Sequence, residues 1–293
     1  SDRRHIEILA TGPAAAGLQE LDLSGNALIE DDGWAVLANA PGLAGLQALR
    51  LDGCRLGVSG VAALANSPHL TGLRRLSLAG HDRDPLGAEA VRALCGGRGL
   101  NQLRELNLKG QHAGVDGFRA LAGWPGLARL TRLDVSSSDA EQDEPGWMSA
   151  AWGALARSPH WGELRELYLD GESIDALAAL LASPNVATLR LLGFDHAFWE
   201  DGPEDDGGSL QDEAAALLAG CPHLSDELVL QLPAEGLTPD GLRRLRDRFG
   251  DRVLAIPDVY GANRQPGDWS SGRPSRCAFY TEEPDPGRPP THT

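Results

Sequence analysis

Leu73-Arg74-Arg75-Leu76-Ser77-Leu78 places leucines at the first, fourth and sixth of six positions. The spacing of two between Leu76 and Leu78 puts both side chains on one face of a short strand. The same spacing occurs at Leu18-Leu21-Leu23, Leu46-Leu49-Leu51 and Leu103-Leu106-Leu108. Variants follow at Leu130-Leu133-Val135, Leu164-Leu167-Leu169 and Leu189-Leu192-Phe194, and a last copy, Glu227-Leu230-Leu232, has lost its first leucine. The starts are 28, 27, 30, 27, 34, 25 and 38 residues apart.

A second pattern fills the interval. It is a leucine, a proline four later and an apolar residue six later: Leu37-Pro41-Leu43, Leu64-Pro68-Leu70, Leu121-Pro125-Leu127, Leu155-Pro159-Trp161, Leu180-Pro184-Val186 and Leu218-Pro222-Leu224. The third unit departs, with Arg98 in the proline place. A small residue stands four before the leucine (Gly33, Gly60, Ala90, Gly117, Ala151, Ala176, Ala214, Gly241) and an apolar one three before, as at Trp34, Phe118 and Trp152. Small, apolar and leucine at these offsets share one face of a helix, which proline then ends. The register sets Trp34 and Trp152 between helices rather than at a binding surface. One strand–helix unit cannot bury its apolar face alone, whereas a stack can. Helices need about 8–10 Å of spacing and strands about 4.8 Å, so the stack curves. The expected fold is an α/β solenoid bent into a horseshoe, with parallel strands on the concave face and helices on the convex face. It should span 1–256, with about eight strand–helix units from residue 18. Leu9-Pro13 has the helix-end spacing, so 1–17 reads as a partial first repeat of a longer protein or as an N-terminal cap.

With Asn26 and Cys54 at the ninth position, repeats of this length resemble the ribonuclease-inhibitor-like class of leucine-rich repeats. The form Leu64-Ala65-Asn66-Ser67-Pro68, and the end from Gly241-Leu242-Arg243-Arg244-Leu245 to Arg252-Val253, are similar to bacterial, planctomycete-type sets of that class. The resemblance implies that Asn26 and Cys54 belong to a polar ladder that satisfies buried backbone groups. It implies little about function, because the fold hosts many partners.

After Ile256 the period stops. Residues 257–293 hold seven prolines and several glycines and read as a flexible tail, of which Val259, Tyr260, Trp269, Phe279 and Tyr280 are candidates to cover the last unit. The formal charge of −16 argues against nucleic-acid binding. No stretch approaches the roughly 18 apolar residues of a membrane span, the first residues do not read as a signal peptide, and the cysteines form no zinc or disulfide pattern. The expected location is the cytoplasm. His69, His160 and His223 each follow the repeat proline. Units two, five and seven stand about 10 Å or more apart, too far for one metal ion. Phosphate-binding, zinc-protease and nucleophile-elbow motifs do not occur. The chain is therefore expected to be no enzyme and to need no cofactor or metal.

The long fifth and seventh units carry the informative departure. Residues 139–144 include Asp139, Glu141, Asp143 and Glu144, and residues 195–213 include Asp195, Glu200, Asp201, Glu204, Asp205, Asp206, Asp212 and Glu213, with no Lys or Arg in either. Both insertions lie between strand and helix and should leave the same edge of the solenoid. The bland reading is a pair of solvated segments. The sharper one is a docking rim for a basic protein, with Phe198 and Trp199 as anchors. Four places of an EF-hand calcium loop match at Glu204, Asp206, Gly207 and Glu213, but Gly202 stands where the first Asp belongs. On the strands, Arg74, Arg104, Arg165 and Arg190 read as one row beside Glu20, Glu105 and Glu166, with Tyr168 as the sole aromatic. The functional expectation is a protein-interaction module or scaffold. The alternatives are a sensing or regulatory array in a larger protein, or a regulator resembling GTPase activators.

Overall fold

A computed structural model of the chain describes residues 2–80, 85–136, 146–171, 173–195, 209–233 and 237–256. The chain divides into two units, Ser1–Asp258 and Val259–Thr293, and the second lies outside the described residues. In the first, helix and strand alternate from α1 (Asp2–Thr11) and β1 (Glu20–Asp22) through α2 (Asp31–Ala38), β2 (Ala48–Arg50), α3 (Val58–Ala65), β3 (Arg75–Ser77), α4 (Gly87–Gly96) and β4 (Glu105–Asn107). They continue as α5 (Gly114–Gly123), β5 (Arg132–Asp134), α6 (Trp147–Ala156), β6 (Glu166–Leu169), α7 (Ile174–Leu181), β7 (Leu191–Phe194), α8 (Ser209–Gly220), β8 (Val229–Pro233), α9 (Pro239–Phe249) and β9 (Val253–Ile256). All strand pairs are parallel, and spatial order follows sequence order from β1 to β9. The chain folds as a leucine-rich-repeat solenoid.

The register stacks the repeat leucines. Leu21, Leu49, Leu76, Leu106, Leu133, Leu167 and Leu192 are successive partners, and all but the first are fully buried. The ninth strand, one beyond the eight counted from leucine spacing, pairs Val253 with Leu230 and carries no Leu-x-x-Leu-x-Leu. Trp34, Val61, Val91, Phe118, Trp152 and Leu177 are buried between helices and strands. The small residues before them let helices approach. A Cβ on Gly60 would stand 2.6 Å from Asp31 Oδ1 and 3.3 Å from Trp34 Cδ1, and one on Gly117 would stand 3.5 Å from the Val91 Cβ of α4.

Helix ends carry carbonyls without partners of their own, and the array satisfies them from the next unit. Ser67 donates to the Ala38 carbonyl, Ser158 to Ala122 and Ser183 to Ala156, each from a buried hydroxyl before the repeat proline. Where Arg98 replaces that proline, the Gly99 amide donates to the Ala65 carbonyl at 2.7 Å. A Cβ on Gly99 would lie 2.5 Å from the Ser67 carbonyl oxygen, so glycine alone fits that approach. After α8, Arg248 donates to the carbonyls of Leu218, Ala219, Cys221 and Leu224. Asn26 and Cys54 both donate to the Leu23 carbonyl, at 2.7 and 3.1 Å. Burial pushes the Cys54 thiol up to about 11.

Candidate functional site

With alternate strand residues buried, the outer face of the sheet is built from the residues between the leucines. On β5 these are Arg132 and Asp134, and Ser136 follows just past the strand; on β6 they are Glu166 and Tyr168, followed by Asp170. Tyr168 pairs in register with Asp134 on one side and Gly193 on the other. A Cβ on Gly193 would stand 2.6 Å from Tyr168 Cδ1, so the ring lies across the gap that the glycine leaves. The Arg132 guanidinium carbon is 4.8 Å from the Tyr168 ring centroid, and Arg132 pairs with Glu166 at 3.4 Å. Burial pushes the Tyr168 hydroxyl up to about 12. Arg75 bonds Glu20 two strands away, so opposite charges pair across this face.

Beside the ring, polar side chains link into a row. Asn107 Nδ2 donates to Ser77 Oγ at 3.1 Å, and Ser77 donates to Asp52 Oδ1. Asn107 Oδ1 accepts the Lys109 amide at 3.0 Å. The Lys109 ammonium reaches the carboxylate of Asp195, which is 10% exposed. Ser136 Oγ lies 2.9 Å from Asp195 Oδ2 and 2.7 Å from Asp134 Oδ1. Burial raises the Asp134 carboxyl above its ordinary value, the Asp195 charge adds to this, and contacts with Ser136 and the Lys109 charge oppose it. Ser136 lies three residues ahead of the fifth-unit insertion, and Asp195 is the first residue of that of the seventh. The approach to the first acidic insertion is thus bonded to the start of the second, whose Asp195 also pairs with Lys109.

Of the residues singled out from sequence, Asp143, Glu144, Phe198, Trp199, Glu200, Asp201, Glu204, Asp205 and Asp206 lie outside the described residues. Tyr168 is on the face. Arg104 and Arg165 are not beside it: β4 begins at Glu105 and β6 at Glu166, so both arginines stand at the entry to their strands. Arg104 bonds Glu163 at 2.8 Å and the Arg129 carbonyl, and Arg165 bonds the Thr188 carbonyl at 3.1 Å. The arginine over Tyr168 is Arg132. Asp212 and Glu213 lie within α8, which begins at Ser209. Asp212 accepts from the Thr238 hydroxyl and amide ahead of α9, and Asp31 does the same for the Gly57 amide ahead of α3. Lys109, Arg132, Asp134 and Ser136 were not singled out. Aligning the eight strand segments at the third, fifth and seventh repeat positions would have brought them into the columns of one face. Among the described residues, no group of three His, Cys, Asp or Glu side chains could hold a metal ion, and no helix is long and apolar enough to cross a membrane.

No protein-family model and no curated protein sequence matches the chain. Among solved structures it is similar to the tropomodulin C-terminal domain of Caenorhabditis elegans, at 15% identity and a TM-score of 0.33 over 54% of this chain and 93% of that one. It is also similar to an internalin of Listeria monocytogenes, at 15% identity and a TM-score of 0.39 over 87% of this chain and 81% of that one. The assignment of the fold rests on the parallel strand ladder and its leucine register.

Proposed function

We propose that this solenoid is a non-catalytic protein-binding module. Its docking surface is the strand face around Arg132 and Tyr168 together with the acidic insertions 139–144 and 195–213, and its partner is a basic protein. The observation that carries this reading is the Lys109–Asp195–Ser136 contact, which brings the approach to one insertion and the start of the other to one place beside a partly exposed aromatic. Acids concentrated at one place raise the local concentration of a cationic partner and steer its approach. A tyrosine stacked under an arginine offers contact area at low entropic cost, the type of anchor that interfaces favour. The α-helix in each unit fits the ribonuclease-inhibitor-like class. The thiols of Cys54, Cys95 and Cys221 are unpaired, which suits the reducing cytoplasm.

The test is retention of the full chain on immobilised oligolysine and oligoglutamate. The native chain should bind the first and not the second, and replacing Glu204, Asp205 and Asp206 with Ser should weaken retention. Equal retention of native and variant chains on oligolysine would contradict an acidic docking edge.

A further inference from the structure

We propose that the Asp134 carboxyl donates its proton to Ser136, which in turn donates to Asp195, so that a protonated clasp joins the approaches to the two insertions and opens when Asp134 ionises. A serine hydroxyl carries one proton and two lone pairs. Ser136 Oγ, fully buried, stands within hydrogen-bond distance of two carboxyl groups, 2.7 Å from Asp134 Oδ1 and 2.9 Å from Asp195 Oδ2. Its single proton serves one of them. The other contact, between two oxygens in a site away from water, needs a proton brought by the carboxyl itself.

The surroundings say which carboxyl brings it. The Lys109 ammonium sits on Asp195 Oδ2, the same oxygen that Ser136 approaches. Asp195 is therefore the charged member, accepting from both. Asp134 is the member on β5. Its register partners are Asn107 on β4 and Tyr168 on β6, neither of which offers it a full positive charge. Among the described residues, the charged and titratable groups that flank Asp134 on this face are Glu105 and Lys109 from β4, Arg132 on β5 itself, Glu166, Tyr168 and Asp170 from β6, and Asp195 after β7. Arg132 is engaged by Glu166 and Tyr168, and Lys109 by Asp195. Burial and the Asp195 charge both favour the neutral form of Asp134, while a hydroxyl proton given by Ser136, the Lys109 charge and the Ser136 amide, 3.2 Å from Asp134 Oδ1, favour the charged one. The chain of donors runs from the Asp134 carboxyl to Ser136 Oγ to Asp195 Oδ2, with Lys109 closing it. Loss of the proton to solvent leaves two anions on one hydroxyl, and one contact must break. The clasp belongs to the fold and holds whether or not the edge docks a partner.

The test is a carboxyl-carbon NMR titration of the full chain labelled at aspartate, with Asp134 assigned through Asp134→Asn. The Asp134 midpoint should lie above the ordinary 3.8, and the amide resonances of Ser136 and Asp195 should move with the same midpoint. A midpoint at or below 3.8 overturns the proposal, as do amides that ignore it. Ser136→Ala separates this donor direction from the reverse. If Ser136 accepts from Asp134, its removal lowers the Asp134 midpoint. If Ser136 instead donates to an Asp134 carboxylate, removal raises it, and a midpoint that rises or stays put refutes the clasp. Should Ser136→Ala fail to fold, the titration of the native chain alone decides.

Discussion

Ser67→Ala and Ser183→Ala remove the same hydroxyl from equivalent turns, yet the structure makes them unequal. Both serines are buried, at 2% and 5% exposure. Ser67 Oγ donates to the Ala38 carbonyl and accepts the amides of His69 at 3.1 Å and Leu70 at 3.0 Å. Ser183 Oγ donates to the Ala156 carbonyl at 2.7 Å and accepts the Asn185 amide at 3.3 Å. There, however, the Asn185 side chain also donates to the Ala156 carbonyl, at 2.8 Å, so that carbonyl keeps a partner. Ser67→Ala strips a partner from two buried backbone groups and one half-buried amide, Ser183→Ala from one at a long distance. A buried group losing its partner costs about 1–3 kcal/mol, with relaxation and water recovering part of it. The expected losses are about 2–3 kcal/mol for Ser67→Ala and about 1 kcal/mol for Ser183→Ala. The assay is urea unfolding followed by far-ultraviolet circular dichroism. Slopes are compared first, because repeat arrays can depart from two-state behaviour. A loss for Ser183→Ala equal to or larger than that for Ser67→Ala would refute the accounting.

Three further expectations use the same assay. Leu121→Ala, at a fully buried position, should cost about 2–5 kcal/mol, whereas Arg104→Ala, whose ion pair with Glu163 is exposed, should cost under about 1 kcal/mol; similar losses would mean that the register is wrong. Arg248→Ala should cost about 3 kcal/mol or more, because four carbonyls share its guanidinium, and Arg248→Lys should restore little, since an ammonium lacks the planar fork; full rescue by lysine would contradict that role. Burial raises the carboxyls of Asp52, Glu105 and Asp134 in the folded chain, so the folded state holds these protons more tightly than the unfolded one, and their contribution is full below about pH 4 and falls as pH rises through the folded values. Asp52→Asn should therefore gain on the native chain as pH rises from about 4 to 7, and a difference that shrinks over that window would reverse the sign.

The strand and helix layers were legible because each repeat states its own register. Leu76 and Leu78 fix which face of a strand is buried, and Gly60-Val61-Leu64 does the same for a helix. The ninth strand was not, because its Val253-Leu254-Ala255-Ile256 lacks the leucine spacing and forms by pairing with β8. On the face, Tyr168 was legible as the one aromatic of its row, but its neighbours were not. Arg104 and Arg165 attract notice as a repeated charge, yet they precede the strands and turn to local carbonyls. Arg132 reaches Tyr168 because strands five and six align them, a relation visible only once segments 34 residues apart are stacked. Asp195 looked like one more solvated acid. Its partners are Lys109, 86 residues earlier, and Ser136, 59 residues earlier, and charge counting along the chain gives no sign of either.

Docking of a basic partner on the acidic edge is tested most directly by its association kinetics. A decalysine peptide is mixed with the full native chain over a series of ionic strengths, then with the chain carrying Glu204→Ser, Asp205→Ser and Asp206→Ser. A control carries Asp116→Ser, Asp240→Ser and Asp251→Ser, which removes as many acids elsewhere. If the edge guides the partner, its variant associates more slowly and with a flatter salt dependence, while the control stays close to the native chain. Equal slowing in both variants would mean that only total charge matters, and an unchanged rate and salt slope in the edge variant would contradict docking there.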